Sequence, residues 1–180
     1  MPSFKFPALV VITGPESTGK TTLAAGIAEE EGWIWVKEYA REYLEDLGRP
    51  YTMHDLELIA RQQDRLIHKA LREGKRSGLP VVLADTDLLT IYIWSKVKYG
   101  KVSPQIRKAL MSTMPDMYLL MYPDVAWEED PLRESPNDRE KLFSIYLRLV
   151  KEMNIPFQLI KGEGQARIAT AKKAIKSFLK

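Results

Sequence analysis

VVITGPESTGKTTLAAGIAEE, residues 10–30, is the segment that decides the fold of this chain. Its centre, residues 14–21, fits the phosphate-binding pattern G-x-x-x-x-G-K-[ST]. The apolar run before the first glycine predicts a buried strand, and apolar residues at helical spacing after the lysine predict a helix. A loop at a helix N-terminus presents free backbone N–H groups and the positive end of the helix dipole to an anion. The segment therefore predicts a strand, a phosphate-binding loop and a helix.

Two side chains at the end of this loop have chemistry that suits a nucleoside triphosphate. Lys20 is placed to reach the β- and γ-phosphates of ATP, and the Thr21 hydroxyl is placed to hold Mg²⁺. Gly14 and Gly19 let the backbone curve around the phosphate groups.

Composition limits the class of protein. The chain has 180 residues, 45% of them hydrophobic, which suits one α/β domain with a proper core. It has no cysteine, which excludes disulfides and thiolate chemistry. Its net charge of +3 is small, and much of it lies in the last predicted helix, which indicates a solvated face rather than a nucleic-acid-binding stripe. The apolar run near the N-terminus is too short for a signal peptide and no window suits a membrane span, so we expect a cytoplasmic protein.

Strand and helix patterns alternate along the chain. This alternation predicts a P-loop NTPase of the α/β class, with a five-stranded parallel sheet and helices on both faces. We expect one domain over residues 1–180, with a lid at about 122–137, where prolines and acidic residues interrupt regular structure. The predicted strands are Ala8–Thr13, 34–37, Val81–Asp85, Met117–Met121 and Phe157–Ile160.

Helix starts are also indicated. Thr52 and Asp55 predict the N-terminus of a long amphipathic helix that ends near Gly74, and Asn137 with Glu140 predicts a capping box for a later helix.

Two acids follow the third predicted strand. Asp85 ends the strand beside the phosphate-binding strand, which suits a Mg²⁺-ordering role. Asp87 points to the other side and suits either a substrate contact or the N-cap of the helix from Leu88.

Another acid follows the second predicted strand, at the edge where open α/β sheets place their ligands. The Glu38 carboxylate there can accept the proton of a substrate hydroxyl, and Arg41 can pair with phosphate or with Glu38. The alternative is an exposed, charged helix start.

Two arginines lie in or beside the lid. Arg133 and Arg139 can close over the transferring phosphoryl group and neutralise its charge. The alternative is a solvated charged loop.

Five blocks of sequence together resemble the P-loop kinase domain of the NadR family, the ribosylnicotinamide kinase module of NAD salvage. They are GPESTGKTTL, EYAREYLE, ADTDLLT, YLLMYPDVAWEEDPLR and PFQLIKGEGQAR, which span nearly the whole chain. The sequence departs from the family at Ile91, where a second threonine is usual, and at Pro131, where the lid has a glycine. No H-x-G-H-like motif is present, so the resemblance implies the kinase module alone.

The resemblance also implies roles for individual residues. Glu38, Tyr39, Arg41, Asp85 and Asp87 would line the nucleoside site, and Arg133 would belong to the lid. The residues that would bind ATP and Mg²⁺ are Gly14, Pro15, Glu16, Ser17, Thr18, Gly19, Lys20, Thr21 and Thr22.

The expected function is transfer of the ATP γ-phosphoryl group to a nucleoside, with the 5′-OH of nicotinamide riboside as the leading acceptor. The expected catalytic residues are Lys20, Glu38, Asp85 and Arg133, with Arg139 on the nucleotide and Thr21 and Asp85 on the metal. We expect no nucleic-acid or membrane partner, and the oligomeric state is left open. The alternatives are a kinase of another nucleoside or small metabolite, or a regulatory P-loop ATPase that switches a partner.

Overall fold

A computed structural model describes residues 6–132 and 137–180. Its five strands form one parallel sheet in the order β2-β3-β1-β4-β5, and this confirms the predicted fold class. The strands are β1 (Ala8–Thr13), β2 (Ile34–Val36), β3 (Val81–Asp85), β4 (Met117–Met121) and β5 (Phe157–Ile160).

Seven helices within the described residues cover the two faces of the sheet. They are α1 (Lys20–Glu31), α2 (Tyr39–Glu45), α3 (Met53–Arg76), α4 (Leu88–Tyr99), α5 (Pro104–Ser112), α6 (Arg139–Glu152) and α7 (Gly164–Phe178).

The sheet is buried on both faces, which explains the continuous apolar runs of its central strands. Successive side chains of a strand point to opposite faces, so β1 contributes to two separate cores. Leu9 and Val11 pack in the larger core with residues of α3, α4 and α6. Val10 and Ile12 pack in the smaller core with residues of α1 and α7.

Two predicted caps are confirmed. Thr52 and Asp55 form a reciprocal capping box at the start of α3. Asp87 caps α4 by accepting a hydrogen bond from the Leu89 backbone N–H.

Three boundaries differ from the prediction. β2 ends at Val36, because the Lys37 carbonyl accepts a hydrogen bond from the side chain of Gln63 instead of from a neighbouring strand. The predicted box of Asn137 and Glu140 is wrong, since α6 begins one residue later, with Asp138 as an N-cap that makes no side-chain cap hydrogen bond. α3 continues past Gly74 to Arg76.

Gly74 serves close packing and does not end the helix. A Cβ atom at this position would lie 2.9 Å from a Val82 methyl group and 3.1 Å from the Pro7 ring.

Among the residues that the structure describes, no helix is both long and apolar enough to cross a membrane.

Candidate active site

A cleft of about 670 Å³ opens at the carboxyl ends of the strands. Residues that follow four different strands line it: Gly14 after β1, Glu38 after β2, Val125 after β4 and Glu163 after β5. Open α/β sheets place their ligands at this edge. The phosphate-binding loop lies along one side of the cleft, from Gly14 to Thr22.

The two glycines of the loop are required by geometry. Gly14 has φ of 137° and Gly19 has φ of 74°, in the left-handed region that favours glycine. A Cβ atom on Gly14 would lie 2.9 Å from the Met121 carbonyl oxygen. The loop therefore packs directly on the end of β4, and a side chain at Gly14 would push it away.

Lys20 lies along the inside of the loop. Its ammonium group donates hydrogen bonds to the carbonyls of Pro15, at 2.7 Å, and Gly14, at 3.1 Å. The Thr18 hydroxyl also donates to the Pro15 carbonyl, at 2.8 Å. The loop is thus held in a curled form by its own side chains, with the Lys20 charge at the phosphate side of the cleft.

Thr21 and Asp85 meet beside the loop, as a metal site requires. The Thr21 hydroxyl donates a 2.6 Å hydrogen bond to Asp85 Oδ2, while Asp85 Oδ1 is buried and has no partner among the described residues. Burial raises the pKa of Asp85, and the Thr21 hydrogen bond and Lys20 oppose that rise. An unpaired carboxylate oxygen next to a hydroxyl fits Mg²⁺, which prefers oxygen ligands.

No cluster of three or more histidine, aspartate or glutamate side chains in the described part of the chain is arranged to hold a metal. Mg²⁺ in kinase sites typically uses one or two protein side chains together with substrate phosphates and water. Thr21 and Asp85 suffice for that arrangement.

Glu38 lines the cleft at the start of α2. Burial raises its pKa to about 7, although Lys20 lowers it, and the negative charge of Asp85 adds to the rise. A carboxylate that titrates near neutral pH is well matched to accept a proton at physiological pH.

Arg41 also lines the cleft, and it connects α2 to the lid. Its guanidinium donates a 2.9 Å hydrogen bond to Asp130 Oδ2 and lies 3.6 Å from Glu45. Arg41 therefore pairs with Asp130 of the lid segment and not with Glu38, and its predicted pairing with phosphate stays a prediction.

Two predicted substrate contacts do not lie on the cleft wall. Asp87 is fully buried: one carboxylate oxygen caps α4, and the other accepts a 2.7 Å hydrogen bond from the Tyr118 hydroxyl. The Tyr39 ring packs beside Tyr43, with ring centroids 6.0 Å apart. This geometry favours the cap role for Asp87 and gives no support to a substrate contact by either residue.

The lid is docked on the phosphate-binding loop. Arg139 donates hydrogen bonds to the Ser17 carbonyl, at 3.0 Å, and to the Val125 carbonyl, at 2.9 Å. The Glu128 backbone N–H donates to the Ser17 hydroxyl at 2.9 Å. Arg139 thus joins the lid to the loop. Arg133, the other predicted lid arginine, lies outside the described residues.

Arg167 on α7 is a residue of the site that sequence analysis missed. Its buried guanidinium donates to the Thr18 carbonyl at 2.8 Å and to the Tyr122 carbonyl at 3.3 Å, and it pairs with Asp124 at 3.2 Å. It therefore ties the phosphate-binding loop to the point where the chain leaves β4 for the lid. The signal that could have found it is helical spacing: Arg167 lies four and eight residues before Ala171 and Ile175, which puts it on the buried face of α7.

The cleft wall also carries apolar and aromatic side chains. Trp94 lines the cleft, tilted against Tyr51 with ring centroids 6.5 Å apart, and the hydroxyl of buried Tyr146 donates a 3.2 Å hydrogen bond to Thr90. A flat heteroaromatic group fits a wall of this kind. The other apolar residues of the cleft wall include Leu44, Ile93, Leu132 and Leu142.

A family model described as AAA domain matches residues 9–167, which is most of the chain. The chain belongs to the AAA-domain family. No curated protein matches it.

Solved structures share the fold of this AAA-domain chain. A NadR protein in complex with NR is 23% identical with a TM-score of 0.81, and the match covers 97% of this chain and 52% of that one. A NadR protein in complex with NAD and AMP-PNP is 21% identical with a TM-score of 0.78, covering 97% and 50%. This chain thus spans about half the length of those NadR chains.

Two kinases match over almost their whole length. A deoxyadenosine kinase from M. mycoides is 18% identical with a TM-score of 0.65, covering 94% of this chain and 99% of that one. A thymidylate kinase from Ehrlichia chaffeensis is 14% identical with a TM-score of 0.67, covering 94% and 97%. The AAA-domain chain therefore has a P-loop kinase fold.

Proposed function

We propose that this protein is an ATP-dependent kinase that phosphorylates a nucleoside, with the 5′-OH of nicotinamide riboside as the preferred acceptor. The observation that carries this proposal is the position of Glu38. Its carboxylate, with a pKa raised to about 7, interacts electrostatically with both Lys20 and Asp85. A base beside the groups that suit phosphate and metal is the arrangement that phosphoryl transfer to a hydroxyl requires.

One set of residues binds the ATP phosphates and the metal, and another residue acts on the acceptor. The loop from Gly14 to Thr22 holds the ATP phosphates, with Lys20 against the β- and γ-phosphates. Thr21 and Asp85 would hold Mg²⁺, which when bound neutralises charge on the phosphates. Catalysis then depends mainly on positioning and charge stabilisation.

Glu38 acts on the acceptor. As the acceptor oxygen bonds to the γ-phosphorus, Glu38 takes the proton of that hydroxyl. The bond between the γ-phosphorus and the bridging oxygen breaks, and ADP leaves with the electron pair. Arg139 holds the lid segment against the loop, which keeps water from competing with the acceptor hydroxyl.

The charge of the cleft favours an unphosphorylated acceptor. Arg41 lines the cleft, and Asp130 already engages its guanidinium. Glu16 and Glu38 add negative charge to the cleft wall. A nucleoside monophosphate would bring its own negative charge against these acids, whereas the cationic ring of nicotinamide riboside is attracted to them.

An aromatic side chain in the cleft wall supports the same acceptor. Trp94 lines the cleft and is partly exposed, and a cationic ring gains both stacking and cation–π attraction against its face. A neutral nucleoside base gains stacking alone. The NadR structure in complex with NR has the same fold, which supports this acceptor by analogy of fold.

A nucleoside panel tests this proposal. The protein is incubated with ATP, Mg²⁺ and each of nicotinamide riboside, the common ribonucleosides, the deoxyribonucleosides and thymidine monophosphate, and the product masses are measured. We expect nicotinamide mononucleotide as the main product. If another nucleoside is phosphorylated and nicotinamide riboside is not, the proposal that the protein is a kinase stands and the proposed acceptor is rejected.

A further inference from the structure

A buried glutamine holds the two peptide groups on either side of the proposed base. Gln63 lies on α3 and is 1% exposed. Its side-chain oxygen accepts a 2.9 Å hydrogen bond from the Tyr39 N–H, and its side-chain nitrogen donates a 3.3 Å hydrogen bond to the Lys37 carbonyl. Glu38 is the residue between these two peptide groups.

The backbone at Glu38 needs this outside support. β2 ends at Val36 and α2 begins at Tyr39, so neither element supplies partners across the junction. The Glu38 side chain makes no cap hydrogen bond at the start of α2. The first N–H groups of a helix have no partner within the helix, and leaving one buried and unpaired is costly. The Gln63 amide satisfies one N–H and one carbonyl at once.

Fixing both neighbours also fixes the direction of the Glu38 side chain. With φ of −67° and ψ of 106°, Glu38 lies at the turn from strand to helix. When the peptide planes before and after Glu38 are both held, the direction of its Cα–Cβ bond is fixed as well. This bond directs the side chain into the cleft that Glu38 lines. Gln63 itself is not among the residues that line the cleft.

We propose that Gln63 is a positioning residue that sets the orientation of Glu38 for proton transfer, through the peptide groups of Lys37 and Tyr39. This inference rests on the proposed function, because it assigns Gln63 a role in that reaction. A base displaced by about 1 Å loses roughly a hundredfold in rate. The loss falls on the chemical step and leaves ATP binding unchanged.

The first measurement compares Gln63→Met with Gln62→Met. Methionine keeps the length of the side chain at position 63 and removes both hydrogen bonds. We expect kcat for phosphoryl transfer to fall about tenfold to a hundredfold, with the ATP dissociation constant and the far-UV spectrum unchanged. Gln62 is the next residue on the same helix and is half-buried, so Gln62→Met should keep the wild-type kcat.

The deciding measurement repeats Gln63→Met in a Glu38→Gln background, where no base remains to be positioned. We expect Gln63→Met to lower kcat there by less than about threefold, because residues that act through one another are not additive. The same fold-loss in both backgrounds would overturn the inference, as would a wild-type kcat in Gln63→Met alone.

The outcomes separate this inference from the proposed function. Wild-type protein that transfers phosphate to no acceptor would reject the proposed function, and the inference with it. A wild-type rate in Glu38→Gln would remove Glu38 as the base, and would likewise overturn the inference.

A second variant makes the test independent of the folding of Gln63→Met. Gln63→Glu keeps an oxygen that accepts from the Tyr39 N–H and, when ionised, loses the donor to Lys37. We expect a smaller fall in kcat than for methionine, and again little further fall in the Glu38→Gln background. A fall of unchanged size in that background would overturn the inference.

Discussion

The Thr21 hydroxyl donates a 2.6 Å hydrogen bond to one oxygen of Asp85, and the other oxygen of Asp85 is buried without a partner among the described residues. A buried acceptor that lacks a donor is costly unless a ligand supplies the missing contact. The parallel pairing of β1 with β3 brings this carboxylate beside the phosphate-binding loop, since Ile12 and Asp85 are partners in the sheet register. The two residues therefore form a half-complete oxygen site that suits Mg²⁺.

Asp85→Asn should weaken Mg²⁺-dependent activity. Asparagine keeps the shape of the side chain and removes the charge that binds the metal. We expect the Mg²⁺ concentration for half-maximal activity to rise at least about tenfold, in line with the loss of one charged contact. A Mg²⁺ titration of initial rates measures this shift. An unchanged titration curve would rule out Asp85 as a metal ligand.

The pH dependence of the reaction should report the raised pKa of Glu38. A base must be deprotonated to accept the hydroxyl proton, so kcat/KM should rise with pH and level off above the Glu38 pKa of about 7. Glu38→Gln should lower the rate by about a hundredfold to ten-thousandfold and remove this acid limb, with ATP affinity kept. A wild-type profile that stays flat between pH 5.5 and 8 would argue against Glu38 as the base.

Arg167→Met should weaken nucleotide binding without affecting the acceptor. The Arg167 guanidinium donates a hydrogen bond to the Thr18 carbonyl. The Thr18 carbonyl and the Gly19 N–H belong to the same planar trans peptide group and point in opposite directions, so this contact also orients the Gly19 N–H. We expect the ATP dissociation constant to rise about tenfold, with the acceptor KM unchanged. Arg148→Met is the control, because that arginine is on the surface of α6. Equal ATP affinities in both variants would mean that Arg167 contributes to packing and not to nucleotide binding.

Asp55 should contribute stability that depends on pH. Its buried carboxylate is paired with Arg49 and accepts hydrogen bonds from Thr52 and Tyr43, and the Arg49 pairing leads in lowering its pKa. A carboxylate whose pKa is lower in the folded state stabilises fully above its unfolded pKa of about 4 and loses that contribution as pH falls below it.

Asp55→Asn tests that contribution. We expect the free energy of unfolding to fall by about 1–3 kcal/mol at pH 7. The gap between the variant and the wild type should narrow at pH 3, because only the wild type has a carboxylate whose stabilising contribution decreases below the unfolded pKa of about 4. Denaturant unfolding at the two pH values measures the gap. A gap of constant size would mean that Asp55 stabilises through packing rather than charge.

Local patterns were sufficient to predict much of the fold. The loop motif with its flanking apolar segments placed β1 and α1, and the Thr52 and Asp87 caps marked the starts of α3 and α4. These features are determined by residues within a few positions of one another. The predicted N-cap of α6 was wrong because Asn137 and Asp138 are both good N-cap residues, and the local sequence does not distinguish between them.

The parts of the site that the sequence did not predict depend on contacts between distant residues. Arg41 meets Asp130 across 89 positions, and Arg167 meets the Thr18 carbonyl across 149. Gln63 reaches the junction before α2 from another helix. Residue type and spacing carry no signal for such pairs, because the partners are brought together only by the order of strands in the sheet.

ADP release with and without an acceptor tests the central claim most directly. The protein is incubated with ATP and Mg²⁺, with or without nicotinamide riboside, and ADP and phosphorylated product are both quantified. Lys20→Ala, with its far-UV spectrum checked, is the control that should abolish turnover while keeping the fold. We predict that ADP forms rapidly only when nicotinamide riboside is present, with one nicotinamide mononucleotide made for each ADP. ADP release at the same rate in the absence of any nucleoside would contradict the kinase and indicate a regulatory ATPase.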